Sequence, residues 1–230
     1  IVLGKLRLGF SDMTLIDALS WMEMGDKSVR KLIEDAYNKC ADIGLIARMI
    51  KEKGVEGLTK LSIRVGVPIR PAAAERLPNA QAIFDKLGAC VAQPKLDGFR
   101  LQIHIDNRSG TPDIAFFSRN LKDMSAMFPD LVHVLKGLAV ETLICEGEAI
   151  GYDPKTDTFL PFQETVKRKR KYGIDQAASE FPLKLFLFDV LYLNGVSLLA
   201  EPHDERYERL QKLVPDDPKN VVQGIHEKKI

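Results

Sequence analysis

The sequence has few cysteines and histidines and no long apolar run. Three cysteines occur in 230 residues and none forms a CxxC pair, which argues against a disulfide framework or a zinc knuckle. The four histidines are equally scattered, so we expect no structural metal. No apolar stretch approaches the length of a membrane span, and the start lacks the layout of a signal peptide. These absences predict a soluble intracellular protein.

The charges almost cancel, with a formal net charge of +1, so any affinity for nucleic acid must come from local basic patches. The composition is that of a globular protein, with 45% hydrophobic and 28% charged residues. The length allows one large domain or two smaller ones. Because the chain begins at Ile1 without a methionine and stops at Ile230 without a closing element, we expect an excerpt of a longer protein.

The first part of the chain has helical periodicity. Residues 12–60 predict a small helical unit, with Thr14 and Asp17 as a capping-type start and Gly54 as the end of the last helix. Prolines then break helical continuity in residues 65–78 and favour an extended connector. We place the domain boundary near Arg70.

Beyond this boundary the pattern changes to strands rich in β-forming residues. The predicted strands are 90–93, 99–105, 114–118, 143–150 and 183–193. The predicted helices are 130–138, 163–170 and 204–213. The second part is therefore expected to be α+β, without internal repeats.

A six-residue run between two predicted strands contains a candidate nucleophile. It reads Lys95-Leu96-Asp97-Gly98-Phe99-Arg100. A lysine amine attacks only when it is neutral, and burial or a neighbouring cation such as Arg100 favours the neutral form. Gly98 would let the backbone pass close to a ligand. Alone, the run is more readily explained as an ordinary hairpin turn.

Three further motifs follow this run in order. They are Phe117-Ser118-Arg119-Asn120, then Glu146-Gly147-Glu148, then residues 186–192 with Phe186, Phe188, Asp189 and Tyr192. In order and rough spacing, the four motifs resemble the nucleotidyltransferase motifs of ATP-dependent DNA ligases. Residues 4–9 are similar to the later part of the helical DNA-binding domain of archaeal and eukaryotic replicative ligases. Residues 161–163 and the basic run 167–171 are similar to another segment of the same enzymes.

The resemblance implies a mechanism with ATP and Mg²⁺ as cofactors. Lys95 would attack the α-phosphate of ATP and hold AMP through a phosphoramidate bond. Arg100 and Arg119 correspond to arginines that clamp phosphate. Glu148 corresponds to the glutamate that binds the ribose and lies near metal, and Phe188 to the aromatic that stacks on adenine.

Three positions leave questions open. Gln93 stands where relatives often have glutamate. Its amide oxygen can accept from the adenine amino group, but its amide nitrogen could favour another base. Glu146 stands where many relatives have aspartate. Phe186 shares the predicted strand face of Phe188, so one of the two could belong to the core.

Basic residues in two places are candidate contacts to DNA. These are Lys5 and Arg7 at the start, and Lys167, Arg168, Lys169 and Arg170 in the basic run. Contacts to phosphate would add affinity and salt dependence but no sequence preference. The run is equally compatible with a solvated helix face or a nuclear import signal.

The resemblance thus implies a ligase that seals nicks in duplex DNA. Residues 1–70 would be the C-terminal part of a helical DNA-binding domain. Residues 71–230 would be a nucleotidyltransferase adenylation domain of the ATP-grasp-like, antiparallel-sheet type. A second Glu-Gly motif and a Lys-x-Lys motif should follow the strand of Phe188 and are not found. We therefore expect an adenylation domain that is incomplete at its C-terminus, and a piece that is poorly active or inactive.

The expected partners are nicked double-stranded DNA and, as a candidate, a sliding clamp. The protein is expected to be a monomer that does not associate with a membrane. The expected compartment is the cytoplasm with its nucleoid in a prokaryote, or the nucleus in a eukaryote. Two alternatives stay open. One is a related nucleotidyltransferase, either an RNA ligase or a capping guanylyltransferase. The other is a non-catalytic fragment that binds nucleic acid.

Overall fold

The computed structural model describes residues 11–168, 172–214 and 221–229. The chain divides into two compact units between Ala72 and Ala73, and each has its own hydrophobic core. Four of the predicted DNA contacts lie outside the described residues: Lys5, Arg7, Lys169 and Arg170.

Helices form the first unit, as the periodicity of residues 12–60 predicts. They are α1 (Asp12–Met24), α2 (Arg30–Lys39), α3 (Ile43–Lys53) and a 3-10 helix (Val55–Lys60). The apolar faces meet in a core around Ile16, Ile33 and Ile46, all fully buried. Helix α3 is followed by Gly54 at a φ of 65°, a conformation in which glycine is favoured. The predicted helical unit is confirmed.

The predicted cap of α1 is wrong. The helix begins at Asp12 after Ser11, before Thr14 is reached. Asp17 instead accepts hydrogen bonds from Lys27 at 2.6 Å and from Arg30 at 2.7 Å. Asp17, which sequence spacing assigned to the cap, therefore forms ion pairs that link α1 to the segment before α2 and to the first residue of α2.

The described part of the second unit contains nine strands of different lengths. They are β1 (Val91–Ala92), β2 (Phe99–Asp106), β3 (Asp113–Ser118), β4 (Thr142–Asp153), β5 (Thr158–Phe159), β6 (Leu183–Leu193), β7 (Val196–Ser197), β8 (Val222–Gly224) and β9 (Lys228–Lys229). The main sheet has the order β3-β2-β4-β6-β7 and is antiparallel along this path, while β8 adds a parallel pair with β6. Strands β1 and β9 form a separate antiparallel pair. The expected α+β class with an antiparallel sheet is confirmed.

Five α-helices and one 3-10 helix (Ser125–Met127) accompany these strands in the described residues. The α-helices are α4 (Ala80–Leu87), α5 (Pro129–Leu135), α6 (Phe162–Val166), α7 (Ile174–Glu180) and α8 (His203–Leu213). Helices α5 and α8 confirm two predictions, whereas α4 and α7 were not predicted. The predicted helix 163–170 is too long, because α6 ends at Val166 and the chain turns at Lys167 and Arg168. This turn places the guanidinium of Arg168 in the interior.

Alternation along β2 separates a core face from a polar face of the sheet. Leu101, Ile103 and Ile105 are fully buried in the core that includes side chains of α5 and α8. Arg100, Gln102 and His104 alternate with them and lie on the opposite face. The candidate site residues of β2 and β4 are on this polar face, because Arg100 pairs with Glu148 and Gln102 with Glu146.

The three cysteines are free, with Cys40 and Cys145 buried. Burial raises the pKa of both buried thiols above the usual value for cysteine. Among the helices in the described part of the chain, none is long and apolar enough to cross a membrane.

Candidate active site

Lys95 lies in an irregular segment between β1 and β2. Its side chain is exposed rather than buried, and Nζ donates a hydrogen bond to the carbonyl oxygen of Leu96 at 3.1 Å. Three residues later, Gly98 lies close to β4. A Cβ atom at Gly98 would be 2.4 Å from the carbonyl oxygen of Ala149, a distance that no side chain tolerates. The glycine of the motif therefore allows the segment that contains Lys95 to pack directly against β4.

Glu148 connects β4 to this segment. Its Oε1 accepts a hydrogen bond from the backbone N–H of Gly98 at 3.0 Å. Burial raises the pKa of the Glu148 carboxyl, while the Gly98 N–H and the positive charges of Lys95 and Arg100 act in the opposite direction. Burial has the larger effect, so the pKa of Glu148 stays above its usual value although the two cations of the run 95–100 favour the carboxylate.

Arg100 makes a second link between β2 and β4. It forms an ion pair with the buried Glu146, and Gln102 donates to the other carboxylate oxygen at 3.1 Å. The Nε2 of His104 lies 3.0 Å from the Oε1 of Gln102, which extends the polar network along β2. The guanidinium carbon of Arg100 lies 5.6 Å from the ring centroid of Phe188, within the range of a cation–π contact. Strands β2, β4 and β6 all contribute to this site.

Phe188 occupies a β-bulge. Its neighbours Leu187 and Asp189 pair with consecutive residues of β4, so Phe188 itself has no partner there. Bulges re-aim side chains and occur often beside active sites. Phe186 packs edge-on against Phe159, with centroids 5.5 Å apart. The two aromatics, predicted to share a face, therefore have different surroundings, and Phe188 is the one in contact with Arg100.

Gln93 is held by groups that are distant in sequence. Its Nε2 donates to the carbonyl oxygen of Phe188 at 3.4 Å and to the carboxylate of Glu227. The Glu227 side chain is only 7% exposed, and its Oε1 lies 2.6 Å from the Nε2 of His203. Neither Glu227 nor His203 was predicted, because no sequence pattern relates them to Gln93.

Most of the predicted nucleotide-site residues are brought together by these contacts. Gln93 and Arg100 both touch Phe188, while Glu148 binds the segment of Lys95. Arg119 differs: it is exposed in the turn after β3 and forms no side-chain hydrogen bond with any residue that the structure describes. Gln102 and His104 were missed, although their alternation with apolar residues in β2 could have identified them.

The basic run divides into two kinds of residue. Lys167 is exposed and forms an ion pair with Glu164 at 2.6 Å. Arg168 is 1% exposed, forms an ion pair with Asp130, and donates to the carbonyl oxygen of Phe181 at 2.9 Å. A guanidinium in this position cannot reach a DNA phosphate without leaving its buried partners, so the prediction of Arg168 as a DNA contact is wrong.

His104 makes the stability of the fold depend on pH. Burial lowers its pKa from 6.5 to about 3. Below pH 6.5 the unfolded chain binds a proton that the folded chain does not, so stability falls as the pH drops from 6.5 towards 3. At pH 5 His104 lowers the free energy of unfolding by about 2 kcal/mol relative to neutral pH, since one pKa unit corresponds to about 1.4 kcal/mol.

Urea unfolding at about pH 7.5 and about pH 5 tests this prediction. His104→Gln should lose about 2 kcal/mol less between the two pH values than the unsubstituted chain does. His133→Gln, at an exposed position of α5, is the matched control and should behave like the unsubstituted chain. An identical pH dependence in all three proteins would contradict the prediction.

The comparisons with known proteins agree on one family. The family model described as "ATP dependent DNA ligase domain" matches residues 71–229. A "Probable DNA ligase" of Dictyoglomus turgidum is 47% identical over 223 residues, which cover 96% of this chain and 38% of that protein. A "DNA ligase 2" of Thermofilum pendens is 42% identical over 222 residues, covering 96% and 36%. A "DNA ligase" of Saccharolobus solfataricus is 40% identical over 225 residues, covering 96% and 37%.

The chain thus spans less than two fifths of the length of each of these relatives. Because the family model matches more than half of the chain, and matches the unit that contains Lys95, Glu148 and Phe188, the chain belongs to the ATP-dependent DNA ligase domain family.

Proposed function

We propose that the protein containing this chain is an ATP-dependent DNA ligase that seals nicks in duplex DNA through a covalent lysyl-AMP intermediate. Given the family of the chain, one structural contact supports this proposal most strongly. Glu148 accepts a hydrogen bond from Gly98 at 3.0 Å, which ties an acidic residue of the central strand to the segment of an exposed lysine, Lys95. A nucleophile and a group suited to a ribose hydroxyl are therefore close to each other.

Lys95 is the proposed nucleophile. Its neutral Nζ attacks the α-phosphorus of ATP, a P–N bond forms, and the bond from the α-phosphorus to the bridging oxygen of the β-phosphate breaks. Pyrophosphate leaves and the amine loses a proton to solvent. An exposed amine can meet the nucleotide without rearrangement of a core, and covalent catalysis divides ligation into easier steps.

The nucleotide is held by the surrounding side chains. Glu148 accepts from a ribose hydroxyl, Phe188 stacks on the base, and Gln93 accepts from the amino group of adenine. Arg100 and Arg119 contact phosphate oxygens. For Arg100 this requires a change of partner from Glu146, which the phosphate charge would favour.

Sealing then takes two further displacements. An oxygen of the 5′-phosphate at the nick attacks the adenylate phosphorus, and the bond to Lys95 breaks. The 3′-hydroxyl attacks the 5′-phosphate, the new phosphodiester bond forms, and AMP leaves. The lysine is regenerated and takes no covalent part in the last step.

Mg²⁺ is the proposed second cofactor. Within residues 11–168, 172–214 and 221–229, no group of three or more His, Cys, Asp or Glu could hold a metal. Mg²⁺ is usually bound by one or two carboxylates together with substrate phosphates, so Glu148 with the nucleotide is a fitting donor set. When bound, the ion would neutralise charge on the phosphates.

The first unit is proposed to be the later part of a DNA-binding domain. Lys5, Arg7, Lys167, Lys169 and Arg170 are proposed to contact DNA phosphates. The exposed position and charge of Lys167 support its inclusion. Arg168 is left out of this set.

Nick sealing by the full reading frame tests the proposal. With ATP, Mg²⁺ and a nicked DNA duplex, we expect sealed product and a protein-bound adenylate that appears without DNA. Labelling by GTP alone would favour a capping guanylyltransferase, and sealing of RNA alone would favour an RNA ligase. DNA binding without any adduct would favour the non-catalytic alternative and contradict the proposal.

A further inference from the structure

We propose that Glu227 is a positioning residue that fixes the amide of Gln93 for adenine and against guanine, an inference that rests on the proposed function. It would make nucleotide choice depend on a carboxylate located 134 residues away from Gln93. Four observations support the inference: the strand register, the burial of Glu227, the acceptor groups around the amide of Gln93, and the position of Gln93 beside Phe188.

The β1–β9 pairing brings the two residues together. Val91 pairs with Lys229 and Ala92 with Lys228, in antiparallel register. Continued by one residue, this register puts Gln93 directly opposite Glu227. Their hydrogen bond is thus a consequence of backbone pairing rather than of a chance meeting of two long side chains.

Glu227 is itself held in place. Its side chain is 7% exposed, and His203 at the start of α8 lies 2.6 Å from the oxygen that also meets Gln93. Two residues earlier, the carbonyl oxygen of Ile225 accepts from the hydroxyl of Tyr207 at 2.7 Å, which fixes the backbone to the same helix. Because contacts with α8 fix the position of the Glu227 carboxylate, this carboxylate can in turn fix the orientation of the Gln93 amide opposite it.

The partners of Gln93 determine which way its amide faces. An ionised carboxylate and a backbone carbonyl are both acceptors, so the NH₂ group of Gln93 must point to Glu227 and to the carbonyl of Phe188. Only Oε1 remains for a ligand, and this oxygen can only accept. Adenine presents an amino donor where guanine presents the O6 acceptor, so the fixed amide favours adenine and repels guanine.

The location of Gln93 makes this orientation relevant to a base. Gln93 lies two residues before Lys95, and it is bonded to the backbone of Phe188, the proposed stacking residue. The amide therefore lies next to both the proposed nucleophile and the proposed platform for the base. Glu227 would act only through Gln93 and would not touch the nucleotide.

A swap of the two side chains tests the inference. In the full reading frame, the rate of lysyl-nucleotide formation is measured against ATP and GTP concentration for Glu227→Gln, Gln93→Glu and the double variant. Glu227→Gln can present either end of its amide, so Gln93 is free to turn. We expect the KM for ATP to rise roughly tenfold and the preference for ATP over GTP to fall by a similar factor, with kcat nearly unchanged.

Gln93→Glu places two carboxylates opposite each other and should also raise the KM for ATP by at least roughly tenfold. In the double variant, the amide introduced at position 227 donates to the carboxylate introduced at position 93, so the hydrogen bond is restored in the opposite direction. One oxygen of that carboxylate again faces the base as an acceptor. We expect the double variant to regain the KM and the ATP preference of the unsubstituted protein to within a few fold. A purely structural role would instead give additive losses.

Glu208→Gln is the matched control, because it makes the same change at an exposed position of α8. Additive losses in the double variant, or an unchanged ratio of ATP to GTP use in Glu227→Gln, would overturn the inference while leaving the ligase proposal intact. Absence of any adduct in the unsubstituted protein would overturn the ligase proposal itself. The swapped pair keeps the total charge and atom count. If one single variant does not fold, the double variant is compared with the unsubstituted protein, and a KM or ATP preference that is not regained would overturn the inference.

Discussion

Replacement of Lys95 by alanine is expected to lower ATP-dependent nick sealing by at least about 10³-fold, because no other group would accept the adenylate. The protein should still fold, since Lys95 is exposed and its hydrogen bond to Leu96 is local. Sealing of nicked DNA with ATP and Mg²⁺ measures the loss, and thermal melting measures the fold.

A nick that already carries a 5′-adenylate separates the chemical step of Lys95 from a general loss of function. The final displacement does not involve the lysine covalently, so Lys95→Ala should retain sealing of this substrate. Lys86→Ala, at a lysine in α4 that pairs with Glu75, is the matched control and should form the adenylate normally. Equal loss on both DNA substrates would indicate damage to DNA binding rather than to adenylate transfer.

Replacement of Arg168 by methionine is expected to lower the free energy of unfolding by about 2–4 kcal/mol, because it removes one partner of a largely buried ion pair together with hydrogen bonds to carbonyl oxygens. Asp130 on α5 and the end of α7 near Phe181 lose their common anchor. Urea unfolding of the two proteins measures the difference.

Lys167→Met is the comparison that divides the basic run. Because Lys167 is exposed, its loss should change stability by less than about 0.5 kcal/mol. It should lower DNA affinity and reduce the slope of log affinity against log salt by about 1. If Arg168→Met instead kept full stability and lost DNA affinity, Arg168 would be a DNA contact and its buried position would be refuted.

The elements that can be predicted from the sequence are those that depend on local pattern. The alternation in residues 99–105 predicted β2, and apolar periodicity predicted α1 to α3. For β2 and for α1 to α3, a few neighbouring residues contain the whole signal. Gly98 was expected to let the backbone pass close to a ligand, whereas the close neighbour in the structure is the backbone of Ala149 in β4.

The failures concern contacts between distant residues. The spacing of Asp17 suited a cap, but its partners are Lys27 in the connection after α1 and Arg30, the first residue of α2. Arg168 looked like one of several surface cations, yet Asp130 takes it into the interior. A pattern of charges along the chain does not reveal which of them will meet an opposite charge in the fold.

The candidate site shows the same division. Four ordered motifs identified the strands that carry Arg100, Glu148 and Phe188. The bulge at Phe188 and the link from Gln93 to Glu227 arise from strand pairing across long stretches of chain, and no local pattern encodes them. Register between strands was the missing information.

The identity of the adenylated residue decides whether Lys95 is the nucleophile of an ATP-dependent ligase. The full reading frame is incubated with ATP and Mg²⁺ without DNA, digested, and the adenylate-bearing peptide is sequenced by tandem mass spectrometry. We predict a single adenylate, on the peptide that contains the motif 95–100, with the modification on Lys95. An adenylate on another lysine, or a protein that seals nicks with no adenylate on Lys95, would contradict the assignment of Lys95 as the nucleophile.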